Sequence, residues 1–97
     1  MRVDMHVHSS HSDDGRQSVE EIVHRCVALG IHAVSITDHN SLRGSMDALR
    51  LKIEGCLIIP GMEVTTAPGG HFLAYNIGEE VPRGLPVQEA IDLVHRQ

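Results

Sequence analysis

The chain contains no tryptophan, and its only large aromatics are Phe72 and Tyr75. A core without aromatic bulk must be packed from Val, Ile, Leu, Met and Ala, which suits α/β architectures with aliphatic buried strands. Basic residues are scarce: 8 Lys and Arg stand against 13 Asp and Glu, a formal charge of −5 with neutral histidines. That balance argues against a binder of the nucleic-acid backbone, which needs clustered excess base. The two cysteines, Cys26 and Cys56, form no CxxC pair, so neither a zinc knuckle nor a disulfide scaffold is expected. No apolar stretch reaches the roughly 18 residues of a membrane span. Met1-Arg2-Val3-Asp4 places charge where a secretion signal needs an apolar core, so a cytoplasmic location is expected.

Histidine is abundant instead: 8 residues, as many as Lys and Arg combined. The 97 residues make a single domain, 1–97, without repeats, low-complexity tracts or a linker. A hydrophobic content of 41% supports a folded core.

Periodicity predicts alternating strands and helices. Arg2–His8 alternates, with Val3, Met5 and Val7 on one face and Asp4, His6 and His8 on the other. Ser18-Val19-Glu20-Glu21 reads as a capping box opening a helix with Val19, Ile22, Val23, Cys26 and Val27 as its apolar stripe; Gly30 ends it. A strand over Ala33–Thr37 and a short helix over Ser45–Lys52 follow. A third strand covers Cys56–Ile59, broken by Pro60-Gly61 just before Met62-Glu63, with Val64–Thr66 as a possible extension. A turn at Ala67–Gly70, a fourth strand over His71–Ile77 and a last helix over Val87–His95 complete the pattern. About four strands and three helices in this order imply an α/β fold, a mostly parallel sheet or part of a barrel. In such folds chemistry collects at the C-terminal ends of strands. His6, His8, Asp38, His39 and Glu63 all fall there.

Asp4-Met5-His6-Val7-His8 is the sharpest motif. Residues two apart on a strand share a face, so His6 and His8 can reach one divalent ion, with Asp4 placed to orient an imidazole. At this composition HxH is expected by chance about 0.6 times, but DxHxH about 0.04 times and Thr-Asp-His about 0.015 times. Ser12-Asp13-Asp14-Gly15 reads on spacing alone as a polar turn, although a carboxylate there can curl back over the strand end. Thr37-Asp38-His39 ends the second strand and Pro60-Gly61-Met62-Glu63 the third. A carboxylate such as Glu63 can bridge two ions through its two oxygens. His71 opens the fourth strand. His24, His32 and His95 read as solvated or structural, His11 as a runner-up ligand, and Cys26 and Cys56 as small core residues. Arg16 and Arg43 lie in loops from which they can grip a phosphate, although a solvated role is the leading expectation.

Together these motifs resemble the PHP (polymerase and histidinol phosphatase) domain of metal-dependent phosphoesterases. The matching residues are Asp4-Met5-His6-Val7-His8-Ser9, Ser12-Asp13, Ser35-Ile36-Thr37-Asp38-His39-Asn40, Pro60-Gly61-Met62-Glu63 and His71-Phe72-Leu73. The resemblance implies the N-terminal part of a distorted, TIM-barrel-like (β/α)7 barrel that holds up to three divalent ions, Zn, Mn or Fe. By resemblance, His6 and His8 bind one ion. Glu63 bridges it to a second, which His71 also binds, and Asp13 and His39 hold the third. His6, His8, Glu63 and Asp38 are the residues expected to carry catalysis. The family's downstream ligands, a His in an Ala-His-Pro-like strand and an Asp-x-His, are not found in the sequence. The expectation is therefore a barrel incomplete alone, completed by a further segment or by an oligomer. The implied activity is hydrolysis of a phosphorylated small molecule or nucleotide. The rivals are a non-catalytic metal-binding or interaction module, and an amidohydrolase-like metal hydrolase.

Overall fold

A strand, a helix and a second strand form the first unit of the computed structural model, which describes residues 1–97. Strand β1 (Val3–Val7) pairs in parallel with β2 (Ala33–Ile36), and β2 pairs in parallel with β3 (Leu57–Ile58). Helix α1 (Val19–Ala28) starts where the capping box places it. Ser18 Oγ accepts from the Glu21 amide at 3.2 Å, and Glu21 Oε1 accepts from the Ser18 amide at 3.2 Å. Its stripe of Val19, Ile22, Val23 and Cys26 packs on Val34 and Ile36 from β2. Gly30, with φ +72°, ends the helix in a left-handed conformation that costs glycine little. Helix α2 (Arg43–Leu51) begins earlier than the predicted Ser45, since the Arg43 amide donates to Ser41 Oγ at 3.1 Å and residues 43 and 44 join the first turn.

The second half brings in the one antiparallel pairing. β3 is only two residues long, and Pro60 ends it. A new seven-residue strand, β4 (Gly61–Ala67), then carries Met62 and Glu63 inside a strand rather than beyond its end. Gly61 is the reason. A Cβ there would lie 2.6 Å from Ser35 Oγ and 2.8 Å from the Ala74 carbonyl, so only glycine lets the chain pack this closely and resume pairing. β4 runs antiparallel to β5 (His71–Tyr75) and parallel to the short β6 (Leu85–Pro86). The result is an α/β fold with three helices and mixed strands in two sheets, β1-β2-β3 and β5-β4-β6. Helix α3 (Val87–His95) occupies its predicted bounds, and Ala90 joins Met62, Val64, Ala74, Ile77 and Val81 in a second core. No helix is long and apolar enough to cross a membrane.

A backbone junction links the two sheets. The Glu63 amide donates to the Asp38 carbonyl at 3.0 Å, and the Asn40 amide donates to the Glu63 carbonyl at 2.8 Å. This backbone junction sets His39, just past β2, beside Glu63 of β4.

Candidate metal centre

Glu63 is the hub. Its side chain is almost wholly buried, and its Oε1 lies 2.7 Å from His6 Nε2 and 3.2 Å from His8 Nε2. Its Oε2 lies 3.2 Å from His39 Nδ1 and 3.8 Å from His71 Nδ1. One carboxylate thus faces imidazoles from β1 on one oxygen and from the β2 end and β5 on the other. Metal bonds of about 2.0–2.2 Å at angles of 90–110° separate two donor atoms by roughly 3.0–3.5 Å. The 2.7–3.2 Å spacings of His6, His8 and Glu63 are close to that edge, and the nitrogen and oxygen donors fit a divalent metal.

A second group joins His8, Asp14 and His39. Asp14 lies 2.9 Å from His8 Nδ1 and 2.9 Å from His39 Nε2. The two groups share His8. A neutral imidazole has one lone pair and one N–H, so His8 could ligate an ion through one nitrogen only, with the other donating to a carboxylate. With Nε2 directed at the Glu63 side, the Nδ1–H would donate to Asp14, which would orient the ring as carboxylates orient ligand histidines.

Asp13, the carboxylate expected from the sequence, is not in this group; its neighbour Asp14 is. The loop geometry decides between them. The Ser12 amide donates to the Ser9 carbonyl at 2.9 Å and the Gly15 amide to the Ser12 carbonyl at 3.1 Å, curling the loop back. A Cβ on Gly15 would collide with the Ser9 carbonyl oxygen, so this fold-back needs glycine. The residue immediately before that glycine returns to His8. The Asp-Gly pair was the available signal.

Asp38 also lies elsewhere than expected. It is fully buried and makes no hydrogen bond to an imidazole. Its Oδ1 accepts from the Ser9 amide at 2.6 Å and Ser12 Oγ at 2.7 Å, and its Oδ2 accepts from Ser9 Oγ at 2.6 Å. Ser12 Oγ in turn accepts from the His39 amide at 3.0 Å. Asp38 therefore fastens the loop that carries Asp14 to the end of β2. Asp4 accepts from the His6 amide at 3.2 Å rather than from an imidazole. His71 sits at the edge, with Nδ1 also 3.3 Å from Thr65 Oγ1. His11 turns away to Asp47 at 2.8 Å.

The cluster polarises its members. Burial pushes Glu63 up, but His6, His39 and His8 outweigh it and hold the carboxyl below its ordinary range. Hydrogen bonds from His39 and His8 hold Asp14 down. The Asp14 bond raises His39 against the opposing effect of its burial.

Known proteins agree with this arrangement. The family model of the PHP domain matches residues 4–97. An uncharacterised protein of Methanocaldococcus jannaschii, MJ1587, is 32% identical over 108 residues, covering 100% of this chain and 63% of its own length. A 5′-3′ exoribonuclease of Haemophilus influenzae is 33% identical over 86 residues, covering 84% of this chain and 31% of its own. Among solved structures, a two-domain protein of Bacteroides vulgatus, containing a predicted PHP-like metal-dependent phosphoesterase, superposes with a TM-score of 0.84 at 25% identity. That match covers 100% of this chain and 32% of the other. The chain thus spans under two thirds of the length of each of these relatives. A match from Asp4 to Gln97, laid over histidines and carboxylates that the fold gathers around Glu63, makes this chain a member of the PHP domain family.

Proposed function

We propose that these residues form part of the site of a metal-dependent phosphoesterase. The observation that carries the reading is Glu63, whose two oxygens face separate imidazoles from β1 and from the β2 end. Its donors suit Zn, Mn or Fe. His6, His8 and Glu63 would hold one ion, Glu63 with His71 a second, and Asp14 with His39 a third. Bound divalent ions supply water activation near neutral pH and Lewis acidity toward phosphoryl oxygens. The chain's own part is to place those donors rigidly. Glu63 is fixed by the strand junction, His8 by Asp14, and the Asp14 loop by Asp38. Each proposed ion draws two or three ligands from these residues, so other ligands come from outside them, from another segment or an oligomeric partner. The substrate class is a phosphorylated small molecule or a nucleotide. The exoribonuclease and phosphoesterase relatives support that choice.

The test is to load the full-length protein with Mn²⁺ or Zn²⁺, count bound metal, and assay phosphate release. Glu63→Gln keeps the shape but weakens the shared carboxylate. We expect it to bind at least one ion fewer and to lose hydrolysis. Wild-type protein that holds metal but cleaves no phosphoester would indicate a metal-binding module. Turnover of an amide instead would indicate an amidohydrolase-like enzyme.

A further inference from the structure

A second feature adjoins the cluster. A cavity of about 330 Å³ opens beside it, lined by Asp13, Asp14, His39, Asn40, Thr65, His71 and Arg83, none of them hydrophobic. Arg83 is the single Lys or Arg in this lining. It comes from the loop before β6 and carries no carboxylate partner, although two aspartates share the cavity. Arg50, by contrast, is neutralised by Asp47 at 3.1 Å. The loop that presents Arg83 is held on both sides. Val81 is buried in the second core, and the Gly84 amide donates to the Thr65 carbonyl at 2.8 Å. Pro82 restricts the backbone next to it. The far wall is equally fixed: Asn40 Nδ2 donates to Thr65 Oγ1 at 3.0 Å, and the Thr65 amide donates to Asn40 Oδ1 at 2.9 Å. Neither Arg16 nor Arg43, the arginines suggested by the sequence, lines this cavity. Arg43 lies in a separate groove with Glu80.

We propose that Arg83 is the residue that grips the substrate's phosphoryl group in this cavity. The proposal rests on the phosphoesterase reading above. A guanidinium offers a rigid fork of N–H donors that matches phosphate oxygens, and it stays charged at any working pH. The surrounding aspartates repel an anion until metal offsets them, so phosphate binding depends on a loaded site. The cavity exceeds one phosphate in size and no hydrophobic residue lines it, so it has room for a further group carried on the phosphate.

The experiment is calorimetric titration of the Mn²⁺-loaded full-length protein with inorganic phosphate, with bound manganese counted in the same samples. Arg83→Met is expected to weaken phosphate binding roughly tenfold or more with manganese content unchanged, and Arg83→Lys to fall between because it keeps charge without the fork. Arg43→Met, in the other groove, is expected to bind phosphate as wild type does. Wild-type affinity in Arg83→Met overturns the proposal and leaves the phosphoesterase reading standing. So does an equal loss in Arg43→Met, which would reflect general surface charge. A drop in manganese content in folded Arg83→Met also overturns it, since Arg83 would then support the metal site. Wild-type protein that holds manganese yet neither binds phosphate nor hydrolyses p-nitrophenyl phosphate overturns both readings.

Discussion

Replacing Asp38 separates a clamp from a chemical participant. Its carboxylate accepts three hydrogen bonds of 2.6, 2.6 and 2.7 Å from Ser9 and Ser12, all out of contact with water. Hydrogen bonds to a charged acceptor contribute about 1.5–3 kcal/mol each. Their plain sum overstates the loss in Asp38→Ala, because the two hydroxyls can turn to other acceptors while the Ser9 amide cannot. We expect Asp38→Ala to cost about 4 kcal/mol, near the upper end for single substitutions. That is a large share of the roughly 5–15 kcal/mol that holds a domain folded. Asp38→Asn keeps Oδ1 for the Ser9 amide and Ser12 Oγ. It places an NH₂ opposite Ser9 Oγ, which then loses its acceptor, so about 1–2 kcal/mol is expected. Guanidinium unfolding of the metal-free protein, followed by far-UV circular dichroism because there is no tryptophan to report, reads both midpoints. On the clamp account both variants lose hydrolysis only in proportion to lost structure and metal. Asp38→Asn that unfolds at the wild-type midpoint and keeps its metal while hydrolysis collapses would refute the clamp and make Asp38 catalytic.

Other outcomes follow from the same geometry. Asp14→Asn should lower metal content and Asp13→Asn should not, as elemental analysis of the two variants would reveal; equal losses would overturn the loop assignment. Metal must displace the proton that Asp14 holds on His39, so affinity should fall by up to about tenfold per pH unit below the raised His39 pKa. Calorimetry in two buffers of different ionisation heat measures the protons released. In the metal-free protein the His39 contribution is present below its unfolded pKa and fades as pH rises through the raised folded value. The Asp14 contribution is present above its unfolded pKa and fades as pH falls through the lowered one. The pair is therefore strongest between about pH 4 and 6.5, testable by unfolding midpoints across that range. Burial pushes the Cys26 thiol up to about 11, so a thiol reagent at pH 8 should label it only after unfolding. Because the native state keeps that thiol neutral, stability should drop by on the order of 2 kcal/mol as pH climbs from about 9 to 11.

Much of the secondary structure was legible because it rests on local rules. The capping box at Ser18, the stripe of Val19, Ile22, Val23 and Cys26 and the Gly30 stop rest on near neighbours, and the structure contains them, whereas Val27, also expected on the stripe, is exposed. Helix α3 matched its bounds for the same reason. The strand carrying Glu63 was misread because Pro60-Gly61 signals a break locally. What lets Gly61 resume pairing is its close approach to Ser35 and Ala74, remote in sequence. The strand pairings are mostly parallel as expected, and the one antiparallel pairing, the β4–β5 hairpin, lies at the same place.

The sequence by itself determined the ligand types. Strand alternation puts His6 and His8 on one face, because a period of two is a property of the backbone alone. Only the tertiary structure decided which carboxylates lie among the imidazoles. Asp13 and Asp14 are adjacent and chemically identical, and the choice depends on how far the loop from Ser9 to Gly15 folds back over β1. Asp38 sits beside His39 in sequence yet points into the interior, because three donors from a distant loop meet it there. Arg83 enters the cavity for the same kind of reason: the pairing of β6 with β4 carries its loop beside Thr65, a juxtaposition that no spacing along the chain encodes.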